Sequence, residues 1–374
     1  MNTNEDLAKY REQIDEVDQS IVKLFEKRMK VAKEIGDYKR ENNVAILDSD
    51  REQKVVDNVI GIVDEDLRGE VTLLMRTIMS LARGYQRSFM FQNELEMLPA
   101  PVPRKSENVK CVFQGQRGAW SEQATEKLFP DANIVSAAQF EDVFRMVKDG
   151  EADYGVVPIE NSKTGAIGET YDLLRTYGCY IVGRTWIDIK HCLLAKPGAE
   201  IKDIREVYSH PEGFRQCLRF LSDKSWDLIA SSNTAVAAGK VGDSEDIRLA
   251  AIGSRRAAEL NGLNVLAEDI MDSDKNRTSF VVIAAQPEYD EKSDLISVTF
   301  SAAHRAGSLC EALLPFTAAG INLSRIESRP SSSNNYRFFA EVNGNICDPE
   351  MIETLKHAAG ATDYFEVIGC YKQV

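Results

Sequence analysis

The 374-residue chain reads as three successive units, one all-helical, one α/β and one α+β. Three observations predict this. No proline precedes Pro99, so the first unit has no helix breaker. From Lys110 to about Pro287, short β-rich runs (CVFQG, YGVVPI, YIVGRTWI, RLAAIG, SFVVIAA) alternate with helical stretches, the pattern of a parallel or mixed sheet. After the polar joint PEYDEKSD, the segments LISVTFSA, GSLCEALLPFTAAG, INLSRIESRP, YRFFAEVNG, PEMIETLKHAAG and YFEVIGCYKQV read as βαββαβ, a ferredoxin-like unit. The expected boundaries are 1–92 for the helical unit, 93–108 for a linker, 109–286 for the α/β unit and 294–374 for the α+β unit. The linker contains PAPVPRKSEN, Pro99–Asn108.

A net charge of −14 and a pI near 5.0 argue against nucleic acid or an anionic membrane as partner. Such a chain must gather its cations locally to bind an acidic metabolite. No export signal or membrane span is read, and the seven scattered cysteines lack CxxC spacing. Reduced thiols, a cytoplasmic location and no metal site are expected.

In the helical unit, Leu7, Ile14, Ile21, Arg28 and Ile35 recur every seventh position, with Tyr10, Val17, Leu24, Val31 and Tyr38 as the companion column. The pair of columns predicts one helix of about 35 residues, roughly 50 Å long, whose seam packs against a second chain. Arg28 stands inside that seam, where Leu or Ile is expected. Lys39 projects in nearly the same direction, and Arg11 lies at the edge. One such cation reads as a snorkelling side chain or an ion pair, because an unpaired buried charge is costly. Three on one face favour a pocket for a dianion. Ser49 with Glu52 reads as a capping box after Asp48, which frees Arg51 to point into the pocket. A third helix, Val71–Met90, brings Gln86.

The α/β unit carries GVVPIENSKTGAIGET, Gly155–Thr170. Its apolar strand stops at Glu160, Asn161 and Ser162, and Gly165 and Gly168 precede a helix with Leu173 and Leu174. A strand running into polar side chains and a Gly-rich helix start suits a small carboxylate. Gly115 to Gly118, Tyr208-Ser209-His210-Pro211 with Gln216, Asn233-Thr234 (either residue capping a helix), and Asn276-Arg277-Thr278-Ser279-Phe280 before VVIAA are each weak alone.

Leu7 to about Arg87 resembles the all-helical chorismate mutase family of intertwined dimers, on six matching positions. The resemblance implies that Arg28, Arg51 and Arg11, the last from the opposite subunit, bind the two carboxylates of chorismate. It gives Lys39 and Gln86 to the ether oxygen of the breaking bond, and Asp48 and Glu52 to the substrate hydroxyl. That reaction is pericyclic and needs no cofactor, only a held conformer and stabilised charge on the ether oxygen. A serine common in the family falls at Ala82. Lys110 to about Ala285 resembles prephenate dehydratase, whose most specific phrase is PIENS followed by a Gly-rich turn. Two lobes similar to periplasmic binding proteins are implied, with Thr278 the main catalytic residue and Asn161, Ser162, Ser209 and Gln216 lining the cleft. His210 is a tempting acid, but beside Pro211 it reads rather as shaping the turn. The family's Thr-Arg-Phe is Thr278-Ser279-Phe280 here, and Arg277, one position earlier, points to the opposite face of an extended segment.

Gly307-Ser308-Leu309 and Glu327-Ser328-Arg329-Pro330 resemble the ACT domain of phenylalanine-sensitive dehydratases. Such domains pair across a dimer and bind the amino acid at the interface; a purely structural dimerisation domain is the alternative. Together these resemblances imply a bifunctional, homodimeric or larger enzyme converting chorismate to prephenate and prephenate to phenylpyruvate, inhibited by phenylalanine. A ligand sensor with degenerate lobes is the alternative, supported by Ala82 and Ser279. A mutase fused to prephenate dehydrogenase is disfavoured, because no GxGxxG follows a strand.

Overall fold

The computed structural model describes residues 3–90, 98–273, 275–330 and 336–373. The first unit is three helices, α1 (Thr3–Glu41), α2 (Ser49–Ile60) and α3 (Arg68–Met90), with a 3-10 turn at Glu65–Leu67. At 39 residues α1 is about 58 Å long. Its seam is uncovered within this chain: Leu7, Tyr10, Ile14, Val17, Ile21 and Leu24 are all exposed, Leu24 to 67%. α1 and α3 approach closely at Gly36, where an added Cβ would lie 2.9 Å from Gln86 Cγ. The expected capping box at Ser49 is corrected by one residue. Asp48 is the N-cap, its carboxylate accepting from Arg51 N at 2.9 Å, because Ser49 is already helical. α3 also begins three residues before Val71.

The α/β unit has two lobes. In the first, Asn133–Ala137, Lys110–Gln114 and Tyr154–Asn161 run parallel, and Arg277–Ala284 lies antiparallel between Tyr154–Asn161 and Tyr180–Asp188. The second lobe is a five-stranded sheet in the order Asn264–Ala267, Cys192–Ala195, Leu249–Gly253, Glu206–Ser209, Asp227–Ala230. The chain crosses between lobes after Asp188 and again before Arg277. Ile189 N donates to Asn276 O at 2.8 Å and pins the two crossings together. A mixed sheet is thus observed, and Thr278 lies inside a strand that starts at Arg277, not ahead of it.

The last unit follows the order βαββαβ: Leu295–Ser301, Ser308–Ala318, Leu323–Pro330, Tyr336–Asn343, Pro349–Gly360 and Tyr364–Tyr371. Its strand Tyr364–Tyr371 meets Tyr180–Asp188 through the single pair Gly369–Ile181, merging both sheets into one of ten strands. Glycine is required there, since a Cβ at Gly369 would sit 2.3 Å from Ile181 O. The helix Pro349–Gly360 packs on α3, with Arg87 Nη1 donating to Gly360 O at 3.0 Å. All three units are therefore in contact.

Candidate active sites

α1, α2 and α3 enclose a cavity of about 480 Å³. Leu24, Val31, Ile35, Ile46, Val55 and Met79 supply apolar walls, and Lys27, Arg28, Lys39, Asp48, Arg51, Glu52, Arg83 and Gln86 supply the polar lining. The seven-residue spacing of α1 brings Arg28 and Ile35 to one face, and α3 delivers Gln86 opposite. Arg28 Nη1 reaches Ile78 O at 3.5 Å. Burial holds this guanidinium below its ordinary pKa, and the charge of Glu52 opposes that shift. Lys39 Nζ donates to Ile46 O at 2.6 Å and Gln86 Nε2 to Ala32 O at 2.7 Å. An ammonium has three donors and an amide two, so each keeps hydrogens for a guest. Arg11 is exposed and lies apart from this lining.

The second constellation sits where the two lobes join. Register pairs Thr278 with Asn161 across adjacent strands, and Asn161 Nδ2 lies 2.9 Å from Thr278 Oγ1 and 2.9 Å from Asn276 Oδ1. Asn276 Nδ2 donates to Gln216 Oε1 at 2.7 Å, and His191 Nε2 lies 2.9 Å from that same oxygen. One chain of bonds thus runs from the first lobe, through the crossing segment at Asn276, to the second. Burial pushes the His191 pKa down, which keeps the ring neutral, and its Nδ1 has no hydrogen-bond partner among the described residues. Asn276 and His191 were missed in the sequence. Asn276 was visible only as a neighbour of Thr278, and nothing local marked His191.

Ser162 buttresses this joint from the surface, bonding Lys275 O at 3.1 Å and accepting from Arg277 N at 3.0 Å. Ser209 is buried and spends its hydroxyl on Ile252 O at 3.2 Å. His210 is a helix cap, its Nδ1 accepting from Glu212 N at 3.1 Å. Asn233 likewise caps, accepting from Val236 N. At the Gly168 helix start, where the sequence suits a carboxylate, the chain first turns back on itself. Residues Gly165–Ala166 fold back on Glu160–Asn161 as a hairpin, and Asn161 Oδ1 accepts from Lys163 N and Thr164 N. The helix start itself is covered by the Arg329 guanidinium, which would lie 2.2 Å from a Cβ at Gly168.

Family models match residues 10–87 as chorismate mutase type II and 111–288 as prephenate dehydratase. The bifunctional chorismate mutase/prephenate dehydratase of Escherichia coli K12 is 31% identical over 385 aligned positions, covering 99% of this chain and 97% of that protein. The chain belongs to the bifunctional chorismate mutase/prephenate dehydratase family. It is an enzyme of phenylalanine biosynthesis with both an isomerase and a lyase activity. Arogenate dehydratase/prephenate dehydratase 1 of Arabidopsis thaliana is 35% identical over 76% of this chain and 79% of its own. Among solved structures, the Arthrobacter aurescens prephenate dehydratase in complex with L-Phe superposes with a TM-score of 0.65 at 29% identity, over 71% of this chain and 90% of that one. GqqA, described as a novel type of quorum quenching acylase, gives 0.66 at 27% identity over 71% and 98%.

In this bifunctional enzyme Ser279, where the resemblance leads one to expect arginine, is fully buried on the sheet face opposite Thr278. Arg184, from the neighbouring strand, donates to Ser279 Oγ at 2.7 Å, pairs with Glu341 of the last unit, and lies 3.5 Å from Glu160. A guanidinium therefore sits beside position 279 even though the residue there is serine. Arg277 is half exposed and pairs with Asp188 at 2.9 Å, so it does not substitute. The two segments resembling an ACT effector site make different contacts. Arg329 pairs with Asp172 at 3.3 Å on the dehydratase lobe. Gly307 opens a helix at φ +84°, beside a cavity shared with α2 and α3. Among the described residues no helix is long and apolar enough to cross a membrane, and no cluster suits a metal ion.

Proposed function

We propose that the α1–α3 cavity is the mutase site and that the Thr278–Asn161 junction is the dehydratase site. The observation that carries this reading is the cavity itself, in which Arg28, Arg51 and Lys39 meet Gln86 between apolar walls. The two arginines pair with the carboxylates of chorismate, and Asp48 and Glu52 take its hydroxyl. Lys39 and Gln86 turn a hydrogen toward the ether oxygen, where negative charge develops as the C–O bond breaks. The exposed α1 seam supports a homodimer in which Arg11 enters the partner's cavity.

At the junction, Asn161 Nδ2 donates to Thr278 Oγ1, so the threonine O–H remains free for the departing ring hydroxyl of prephenate. The carboxylate's C–C electrons move into the ring as carbon dioxide leaves. The hydroxyl departs toward Thr278, whose O–H passes it a proton to form water, and the threonine oxygen regains a proton from solvent. Aromaticity supplies the driving force, and the protein orients and donates.

The βαββαβ unit we read as an ACT domain sensing phenylalanine through Gly307, Ser308, Leu309 and Glu327, Ser328, Arg329, Pro330, which a second copy brings together. The L-Phe complex of the Arthrobacter relative supports this. The seven free thiols fit a reducing cytoplasm. One assay tests the set: chorismate consumption and phenylpyruvate formation by purified protein at several phenylalanine concentrations. Both reactions with falling rates as phenylalanine rises are expected; rates indifferent to phenylalanine would reduce the last unit to a structural role.

A further inference from the structure

Arg83 forms the wall between the mutase cavity and a second one of about 470 Å³ that opens between α2, α3 and the last unit. It is only 7% exposed. One guanidinium nitrogen pairs with Glu52, and the other donates to Glu311 Oε1 at 2.8 Å. Arg305 Nη1 grips the same Glu311 oxygen at 2.8 Å. Glu311 sits in the first turn of the helix Ser308–Ala318, so a side chain lining the mutase cavity is held by a residue 228 positions away, in another unit.

Electrostatics gives this contact a purpose. Glu52 puts a negative charge into a cavity that must accept a dianion. Left unpaired, it would turn to Arg28, whose charge it already feels, and compete with the substrate for that cation. Glu52 is partly buried, and Arg83, on the wall of the cavity, gives its carboxylate a partner. The position directly follows Ala82, where the hydroxyl common in the family is missing.

We propose that Arg83 is a positioning residue of the mutase site, neutralising and orienting Glu52, and that the C-terminal unit completes this site through Glu311. The proposal rests on the α1–α3 cavity being the mutase site, which Arg28→Ala tests separately.

The test is a double-mutant cycle on the full chain, read as KM and kcat for chorismate, with dehydratase turnover of added prephenate as the folding control. Arg83→Gln is expected to raise KM for chorismate about tenfold or more, with kcat changed less and dehydratase turnover retained. In a Glu52→Gln background the same substitution should cost less than about twofold, because there is no charge left to neutralise. Glu311→Gln, which leaves Arg83 in place, should shift KM in the same direction by about threefold. Should Arg83→Gln fail to fold, the Glu311→Gln shift decides alone. An equal penalty in both Glu52 backgrounds, or an unchanged KM in Glu311→Gln, overturns the proposal. Loss of mutase activity in Arg83→Gln together with full activity in Arg28→Ala would instead mean that the reaction occurs elsewhere.

Discussion

Replacing Arg28 by alanine separates the two activities and also exposes a trade between function and stability. The guanidinium lines the mutase cavity with no carboxylate in direct contact among the described residues, and burial holds its pKa below the ordinary arginine value. With substrate bound, two charge-assisted hydrogen bonds to a carboxylate form, each contributing about 1.5–3 kcal/mol. Their loss amounts to roughly 3–6 kcal/mol, or about 10²–10⁴-fold in kcat/KM for chorismate. Dehydratase turnover of added prephenate should stay near wild type, because Arg28 lies in a different unit from Thr278. The sign for stability is opposite. A lowered pKa means that folding disfavours the charged form, so the unliganded Arg28→Ala chain should melt at the same or a higher temperature than wild type. Paired rate assays and thermal melts without ligand measure both. Equal loss of the two activities, or a lower melting temperature with intact dehydratase rates, would refute the reasoning.

Thr278→Ala should lower dehydratase turnover by about 100-fold or more with mutase rates retained, and Thr278→Ser should recover most of it; turnover within a few-fold of wild type in the alanine variant would remove the hydroxyl from its role. Arg184→Met leaves the buried Glu341 without its arginine partner, while Glu160 keeps Arg325 at 3.0 Å; the loss of about 3–5 kcal/mol would show in denaturant unfolding, and an unchanged midpoint would contradict the ion pair. Acid should loosen the contact between the helical and C-terminal units. Burial alone would raise the Glu311 pKa, but hydrogen bonds from Arg305 and Arg83 more than offset this and hold it below 4.5. Its stabilising contribution is therefore complete above about 4.5 and fades as pH falls through the depressed value; Glu311→Gln should lack that part of the acid response in urea titrations from about pH 6 to 3. Aspartates at Ile14 and Val17 should disperse any dimer and silence the mutase, while a dimer persisting in sedimentation would place the interface elsewhere.

The helical unit was legible because a seven-residue period is a local signal, and an arginine inside it stands out against its neighbours. The βαββαβ order was legible for the same reason, through segment length and alternation. The hydrogen-bond chain through Asn161, Thr278, Asn276, Gln216 and His191 was not, because it depends on register between strands more than a hundred residues apart. Ser279 showed only as a departure; that Arg184 sits beside it follows from pairing of neighbouring strands, which no local pattern encodes. Arg83 was hidden for a similar reason. Nothing in its own helix singles it out, and only packing against Glu52 and Glu311 distinguishes it. The shift of the α2 cap from Ser49 to Asp48 shows how adjacent cap formers compete within one residue.

The most direct measurement is a crystal structure of the chain with an unreactive dicarboxylate shaped like the bicyclic transition state of the mutase reaction. The ligand should lie between α1, α2 and α3, with its carboxylates on Arg28 and Arg51 and its ether oxygen within hydrogen-bond reach of Lys39 and Gln86. Density for the ligand elsewhere, with those cations still facing an unoccupied hollow, would contradict the account.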